Sequence, residues 1–164
     1  MKTFGFAGWS GSGKTTLIEQ LIPRFVGHGL KVSLIKHAHH RFDVDQPGKD
    51  SWRHRQAGCE EVLVTSANRW VLMHELRGEP EPTLDDQIRR MSPCDLLLIE
   101  GFKFYAMPKL EIYRAANDQP LLHPEDPHIV AVATDVALET ALPQLRLDDH
   151  DGIADFVLKA NGFK

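Results

Sequence analysis

The chain has little cysteine: Cys59 and Cys94 are the only two among 164 residues, and they form no CxxC pair. This shortage argues against a disulfide framework and against a thiolate zinc site. A reducing, cytoplasmic setting is therefore expected. We expect both thiols to serve as small apolar packing residues.

An excess of positive charge, long apolar runs and internal repeats are also absent. The formal net charge is −4, which argues against nucleic acid as a partner because a phosphate backbone needs a basic surface. No apolar run approaches the roughly 18 residues that span a bilayer, so no membrane association is expected. A glycine-rich segment begins too near the N-terminus for a signal peptide. Hydrophobic and charged fractions of 42% and 26% are ordinary, and the length predicts one domain over residues 1–164.

Strand and helix patterns alternate along the chain. Apolar segments at residues 61–65 and 70–74 flank a short polar turn, which predicts an antiparallel hairpin. The other strands are separated by helical patterns, which predicts parallel pairing. The fold class is therefore α/β, a three-layer P-loop NTPase sandwich with a mostly parallel central sheet and an antiparallel hairpin. The remaining predicted strands are 3–7, 31–36, 95–99, 110–113 and 129–133, and the predicted helices begin near residues 14, 50, 83 and 152.

Residues 8–15, Gly-Trp-Ser-Gly-Ser-Gly-Lys-Thr, match the phosphate-binding P-loop pattern in full, between a predicted strand and a predicted helix. Such a loop directs backbone N–H groups at phosphate oxygens, with the positive end of a helix behind them. Lys14 would reach the β- and γ-phosphates, and the Thr15 hydroxyl would bind Mg²⁺. The chain is therefore predicted to bind a nucleoside triphosphate.

Asp95 is the first residue of the predicted strand at residues 95–99, and Glu100 follows the strand directly. In P-loop proteins an acid on a neighbouring strand holds Mg²⁺, usually through water. The ligand crevice lies at the C-terminal ends of parallel strands, which favours Glu100 for the metal and leaves Asp95 as a solvent-facing cap.

The spacing of motifs does not specify which nucleotide base is bound. The N/T-K-x-D tetrad, with which many P-loop proteins recognise guanine, does not occur in the sequence. Asp135 follows the predicted strand at residues 129–133 and is a candidate guanine reader. The alternative is that Asp135 is an ordinary turn residue.

The segment after the second strand contains histidines and basic residues. His37, His39 and His40 fit no standard zinc spacing, and solvated or anion-facing roles are favoured over a metal site. For Asp43 and Asp50, local capping is favoured over a role at a γ-phosphate. The basic side chains are either a solvated face balanced by acids or a surface for a second phosphorylated ligand or acidic partner, two interpretations of equal weight. These basic residues are Lys36, Arg41, Lys49, Arg53 and Arg55.

Five segments, taken together, indicate a protein family more specifically than any P-loop alone. They are the Trp-Ser-Gly-Ser at 9–12 within the P-loop, residues 35–37 through 50–55, the Ile-Glu-Gly-Phe-Lys at 99–103, the Pro-Lys-Leu-Glu at 108–111, and the Ala-Val-Ala-Thr-Asp at 131–135. With these residues the chain resembles, over nearly its whole length, the MobB family of molybdopterin-guanine dinucleotide biosynthesis adaptor proteins.

The resemblance implies a GTP-binding protein with weak, Mg²⁺-dependent GTPase activity, which assists the transferase that attaches GMP to molybdopterin. It implies a homodimer, with molybdopterin guanylyltransferase as a partner, and leaves open whether molybdopterin itself contacts the chain. It implies that Lys14 and Glu100 support catalysis, and that Thr15 and Glu100 hold Mg²⁺. The residues it implies for nucleotide binding are Ser10, Gly11, Ser12, Gly13, Lys14, Thr15, Thr16 and Asp135.

Other functions remain open at this point. A small-molecule kinase would use the same P-loop, but residues 107–125 are too short and too poor in arginine for a lid. A metallochaperone GTPase would bind metal through His37, His39 and His40. A third alternative is a scaffold that binds GTP only to set its shape.

Overall fold

A computed structural model describes residues 1–38 and 42–163. The chain divides into two compact units, the first made of Met1–His37 and Met91–Lys164 and the second of Ala38–Arg90. The single domain over residues 1–164 therefore stays a prediction. In chain order the strands and helices are β1 (Lys2–Ala7), α1 (Lys14–Gly27), β2 (Val32–Lys36), α2 (Asp50–Gln56), β3 (Glu61–Thr65), β4 (Trp70–His74), α3 (Leu84–Arg90), β5 (Leu96–Glu100), β6 (Lys109–Tyr113), β7 (Ile129–Thr134), β8 (Gln144–Arg146) and α4 (His150–Ala160).

The first unit is built on a six-stranded sheet with the order β2-β5-β1-β6-β7-β8. All five pairings in it are parallel. The C-terminal ends of the strands therefore lie along one edge of the sheet, where α/β proteins place their ligands. Every residue of β5 is buried, as expected for a strand between two neighbours in a parallel sheet. The predicted α/β class, with its parallel central sheet and antiparallel hairpin, is confirmed.

Helices α1 and α4 pack on one face of this sheet. Their apolar residues recur at helical spacing, so each helix buries one stripe against the strands. Phe4 and Phe6 on β1 lie at the centre of this core and contact each other edge to face, with ring centroids 5.7 Å apart. The buried helix residues are Leu17, Ile18, Leu21 and Phe25 in α1, and Ile153, Ala154, Val157 and Leu158 in α4.

The opposite face of the sheet contains buried charge. Lys109 on β6 is fully buried, and its Nζ lies 2.5 Å from Oδ2 of Asp126 and 2.7 Å from the carbonyl oxygens of Lys103 and Tyr105. Glu111, also on β6, accepts hydrogen bonds from the backbone N–H groups of Leu122 and His123. The two side chains thus fasten the segments before and after β6 to the sheet. The sequence did not predict either as a core residue.

The second unit contains the β3–β4 hairpin, α2 and α3. The hairpin has the predicted bounds and is antiparallel, with Leu63 opposite Leu72 and Thr65 opposite Trp70. Helix α3 begins with a reciprocal cap, because Thr83 Oγ1 accepts from the Asp86 N–H while an Asp86 carboxylate oxygen accepts from the Thr83 N–H. The helix therefore begins at the predicted position, with Thr83 as its capping residue.

Arg55 organises the charged side chains of the second unit. Its guanidinium, 9% exposed, donates to Asp43 at 2.9 Å, to Asp45 at 3.2 Å and to Glu75 at 2.5 Å. Asp43 also accepts from the Asp45 N–H. The capping interpretation of Asp43 is therefore supported, and Arg55 is engaged with carboxylates instead of facing an external phosphate.

Three details depart from the sequence-based expectation. Strand β8 and a single 3₁₀ turn at Ala115–Asn117 were not predicted. Cys94 is buried, as expected, but Cys59 is exposed, so packing explains only the first. Within the described residues, no helix is long and apolar enough to cross a membrane.

Candidate nucleotide-binding site

The loop between β1 and α1 owes its shape to three glycines with positive φ. Gly8, Gly11 and Gly13 have φ of 151°, 80° and 90°, values at which side chains are strained. At Gly8 space is lacking as well, because a Cβ there would lie 2.6 Å from the carbonyl oxygen of Ile112. Gly13 is the N-cap residue of α1. The loop therefore leads directly into a helix N-terminus, an arrangement that can bind an anion.

Lys14 folds back into this loop. Its Nζ donates to the carbonyl oxygens of Gly8 and Trp9, each at 2.9 Å. Burial lowers the pKa of the Lys14 ammonium; Glu100 opposes this effect, and the nearby ammonium groups of Lys103 and Lys36 reinforce it. The ammonium is thus held at the loop among other positive charges, where an anion would be favoured.

Thr15, Glu100 and Lys36 form a tight cluster beside the loop. Thr15 Oγ1 donates to Glu100 Oε1 at 2.7 Å. Lys36 Nζ lies 3.1 Å from each of these two oxygens. The cluster follows from the topology, because β2 and β5 are neighbours and Lys36 pairs in register with Glu100. The two predicted metal ligands are therefore together, and a cation already contacts both.

The segment after Glu100 is strained and packed against the end of β2. Gly101 has a φ of 99°, and a Cβ there would lie 2.9 Å from Cβ of His37. Phe102 adopts a φ of 47°, unusual for a residue with a side chain. Its ring lies 4.8 Å from the His37 imidazole. Of the three histidines considered for metal binding, His37 thus contacts an aromatic ring, tilted at 35° to it, while His39 and His40 lie outside the described residues.

Trp9 and Lys103 connect this segment to the glycine-rich loop. Lys103 Nζ lies 3.9 Å from the centre of a Trp9 ring, a cation–π contact. The Trp9 indole N–H donates to the Pro120 carbonyl oxygen at 2.7 Å. These two contacts of Trp9 fix the N-terminal part of the loop to Lys103 and Pro120.

Arg114 and Asn117 hold the other side of the loop. Arg114 Nε donates to the Ser12 carbonyl oxygen at 3.1 Å, and Asn117 Nδ2 donates to that of Ser10 at 3.3 Å. Asp135 lies next to them, since its Oδ1 accepts from the Ala115 N–H at 3.0 Å. Sequence reasoning missed Arg114, although its place directly after a predicted strand was a usable signal.

A cavity of about 640 Å³ opens beside Arg114 and Asp135. Its walls also include the C-terminal ends of β7 and β8, at residues 134–137 and 144–148, and His150 at the start of α4. This volume lies in the range of small-molecule sites. Arg114 contacts both the loop and the cavity, so the two are contiguous.

The remaining predicted residues have local roles. Asp95 lies at the start of β5, where its Oδ2 accepts from the Lys31 N–H at 2.7 Å, so its assignment as a cap is supported. Asp50 lies 3.8 Å from Arg53 in the first turn of α2. Thr16 is exposed at the start of α1.

Residues 107–125, the region considered for a kinase lid, do not have the structure of a lid. This region includes β6, which lies between β1 and β7 in the sheet and is almost entirely buried. A central strand cannot open and close over a ligand. A kinase lid could therefore not include β6, which agrees with the expectation that this region is too short for one.

The family model described as MobB, molybdopterin guanine dinucleotide synthesis protein B, matches residues 3–135. The chain belongs to the MobB family. It is 45% identical over 157 residues to the molybdopterin-guanine dinucleotide biosynthesis adapter protein of Escherichia coli, with 94% of this chain and 90% of that protein covered. It is 41% identical over 157 residues to the protein of the same name from Haemophilus influenzae, with 93% and 85% covered.

Solved MobB structures have the same fold as this MobB-family chain. A crystal structure of molybdopterin-guanine biosynthesis protein B matches with a TM-score of 0.76 at 25% identity, covering 96% of this chain and 99% of that one. The resemblance inferred from the sequence is thereby confirmed. Membership in the MobB family associates the chain with molybdopterin-guanine dinucleotide synthesis.

Proposed function

We propose that this MobB-family protein is a GTP-binding adaptor with slow, Mg²⁺-dependent GTPase activity, which assists the attachment of GMP to molybdopterin. The observation that carries the proposal is the glycine-rich loop at the N-terminus of α1, with Lys14 folded into it. Ser12 adds support: the residue is 2% exposed in this loop, and its Oγ is buried and has no hydrogen-bond partner among the described atoms. A buried donor without an acceptor suits a loop built to meet phosphate oxygens.

Lys14 and the loop would hold the phosphates. The backbone N–H groups of residues 10–16 would face phosphate oxygens, and Lys14 would exchange its carbonyl contacts for the β- and γ-phosphates. Because the Lys14 ammonium already lies beside other cations, a phosphate would relieve their mutual repulsion.

Thr15 and Glu100 would hold Mg²⁺. A hydroxyl and a carboxylate supply the oxygen ligands that Mg²⁺ prefers, and the contact of the Lys36 ammonium with both oxygens supports a cation site at this position. Within the described part of the chain, no cluster of three or more His, Cys, Asp or Glu side chains suits another metal. Bound Mg²⁺ would neutralise phosphate charge, while Glu100 would orient water. Catalysis by positioning and charge neutralisation alone predicts slow hydrolysis.

The cavity beside Arg114 is where we place guanosine. Asp135 lies in its wall, and the Ala115 N–H fixes one of its carboxylate oxygens. The second oxygen could then accept from the ring N1–H and the 2-amino group of guanine, neither of which adenine has. Arg114 could stack on the base as a planar cation.

The β3–β4 hairpin supports a homodimer. On one face Leu63, Leu72 and Trp70 are 60%, 49% and 65% exposed, and on the other Val64 and Val71 are 41% and 40% exposed. A two-stranded sheet is marginal alone, and apolar surface beside open strand edges is a pairing site. We propose that a second copy of this chain covers it. Light scattering should show a dimer that Leu63→Asp converts to a monomer; an unchanged mass would reject this surface.

The partner we propose for the dimer is the guanylyltransferase that joins GMP to molybdopterin. The support is that the relatives are named as adapter proteins of this biosynthesis. A pull-down of the transferase tests this partner, and calorimetric titration of the purified chain with molybdopterin tests direct contact between the two.

The experiment that tests the proposal is calorimetric titration with GTP and ATP analogues, each with Mg²⁺. We expect guanine preference in the wild type, loss of that preference in Asp135→Ala, and loss of tight triphosphate binding in Lys14→Ala with the fold retained. Asp155→Ala is the control, since Asp155 is an exposed acid within helix α4. An adenine preference would favour kinase chemistry instead. Unchanged affinity in Lys14→Ala would mean that the loop does not bind the triphosphate.

A further inference from the structure

Lys36 lies where the Mg²⁺ assigned to Thr15 and Glu100 would bind. Its Nζ lies 3.1 Å from Thr15 Oγ1 and 3.1 Å from Glu100 Oε1, the two oxygens assigned above to the metal. A divalent ion bound there at about 2.1 Å and an ammonium on the same atoms would repel each other strongly at such a distance. The two cations therefore compete for one position.

The backbone decides which part of this cluster can move. Lys36 is the last residue of β2, paired in register with Glu100, and the next N–H, that of His37, donates to the Glu100 carbonyl oxygen at 2.9 Å. The backbone of Lys36 is thus fixed to β5. The Glu100 side chain is only 7% exposed, whereas that of Lys36 is 50% exposed. The lysine side chain, long and half in solvent, is the part that can swing away.

The local charge indicates where the ammonium would go. Lys36 lies on Glu100, and the ammonium groups of Lys36 and Lys103 are near enough to Lys14 to disfavour its own positive charge. Once Mg²⁺ has taken over Glu100, a displaced ammonium needs another anion. A nucleoside triphosphate offers one more phosphate group at this place than a diphosphate does.

We propose that Lys36 discriminates triphosphate from diphosphate: with a triphosphate and Mg²⁺ its ammonium leaves Thr15 and Glu100 and binds the γ-phosphate. With a diphosphate it has no anion to move to, stays on the two oxygens and weakens Mg²⁺ binding. The inference rests on the proposed nucleotide-binding function and adds to it a specificity-determining residue, which the basic segment of the sequence contained without revealing its role.

The test compares wild type with Lys36→Met, which keeps the length of the side chain and removes its charge. Affinities for GDP and for a non-hydrolysable GTP analogue are measured by calorimetry across a Mg²⁺ series. In Lys36→Met the affinity for the triphosphate analogue should fall by roughly 10- to 100-fold, the loss of one charge-assisted hydrogen bond. The affinity for GDP should hold or rise, and half-maximal Mg²⁺ enhancement of GDP binding should need less Mg²⁺. Lys36→Arg should retain the discrimination.

Lys159→Met is the matched control, since Lys159 is an exposed lysine in the last turn of α4. It should bind both nucleotides like the wild type. If Lys36→Met lowers both affinities equally, or neither, the role of Lys36 is refuted while the proposed function stands. If the wild type binds no nucleotide at all, both fail. If it binds adenine and guanine nucleotides alike, only the base assignment fails, and the ADP–ATP comparison decides on Lys36.

Discussion

The buried ion pair between Lys109 and Asp126 predicts a large loss of stability when either partner is changed alone. Lys109 is fully buried and Asp126 is 5% exposed, with the charged atoms 2.5 Å apart. Replacing Asp126 by Asn leaves a buried ammonium without its counter-charge, which costs about 3–5 kcal/mol of unfolding free energy in comparable cases. Lys109→Met should cost a similar amount, because it leaves a buried carboxylate and removes the donor to two carbonyl groups.

The assay is urea unfolding of both single variants and of the double variant Lys109→Met/Asp126→Asn, at one fixed protein concentration because a dimer would make stability concentration-dependent. The double variant should lose clearly less than the sum of the singles, since neither charge of this pair then remains buried. Asp148→Asn is the control: it breaks an exposed pair with Arg146, with side chains 70% and 81% exposed, and should leave the midpoint nearly unchanged. Single variants no less stable than this control would refute the reasoning.

The same pair predicts a dependence on pH. Burial alone would raise the pKa of Asp126, but hydrogen bonds from Lys109 and from the His128 N–H hold it below its ordinary value. A depressed carboxyl pKa contributes stability at pH values above its unfolded value of about 3.9, and this contribution is lost as pH falls through the folded pKa. The stability difference between wild type and Asp126→Asn should therefore be constant near neutrality and shrink below about pH 4.

Two further perturbations test the loop and the second unit. Gly8→Ala should destabilise the fold by about 3 kcal/mol or more, because a positive φ and a backbone clash coincide there. Gly29→Ala, with a φ of 79° and open space around it, should cost about 1 kcal/mol. Equal losses of unfolding free energy in urea would contradict the role of the clash at Gly8. Arg55→Gln should lower the urea midpoint well beyond Arg53→Gln, since Arg55 neutralises three carboxylates while Arg53 pairs with one. A midpoint shift no larger than that of Arg53→Gln would mean that the Arg55 network is not stabilising.

The hairpin and the loop before α1 could be predicted because their signals are local. β-branched and aromatic residues on both sides of Ser66-Ala67-Asn68 specify two strands and a turn, and the structure has them at the predicted bounds. Strand β8 could not be predicted, since a three-residue edge strand with one apolar side chain has no periodicity to detect.

The site was predicted in part. The end of the strand at which Glu100 lies was the reason for choosing it over Asp95, and the structure brings its carboxylate to Thr15; its role at a metal stays a prediction. The contact of Lys36 with Glu100 depends on β2 lying next to β5, a neighbour relation between distant segments. Lys109 was missed for a similar reason. A lysine is expected on the surface, and its burial becomes favourable only when Asp126 and two backbone carbonyls converge on it.

The strand order also sets when this fold can form during synthesis. β1 pairs with β5 and β6, and β2 pairs with β5 alone, so neither has a sheet neighbour until residues 96–100 have left the ribosome. At about 5–20 residues per second, the glycine-rich loop and its apolar strand wait roughly 5 to 20 s without a partner. Truncated chains that end before β5 should therefore be captured by chaperones, and those that extend past β6 should escape.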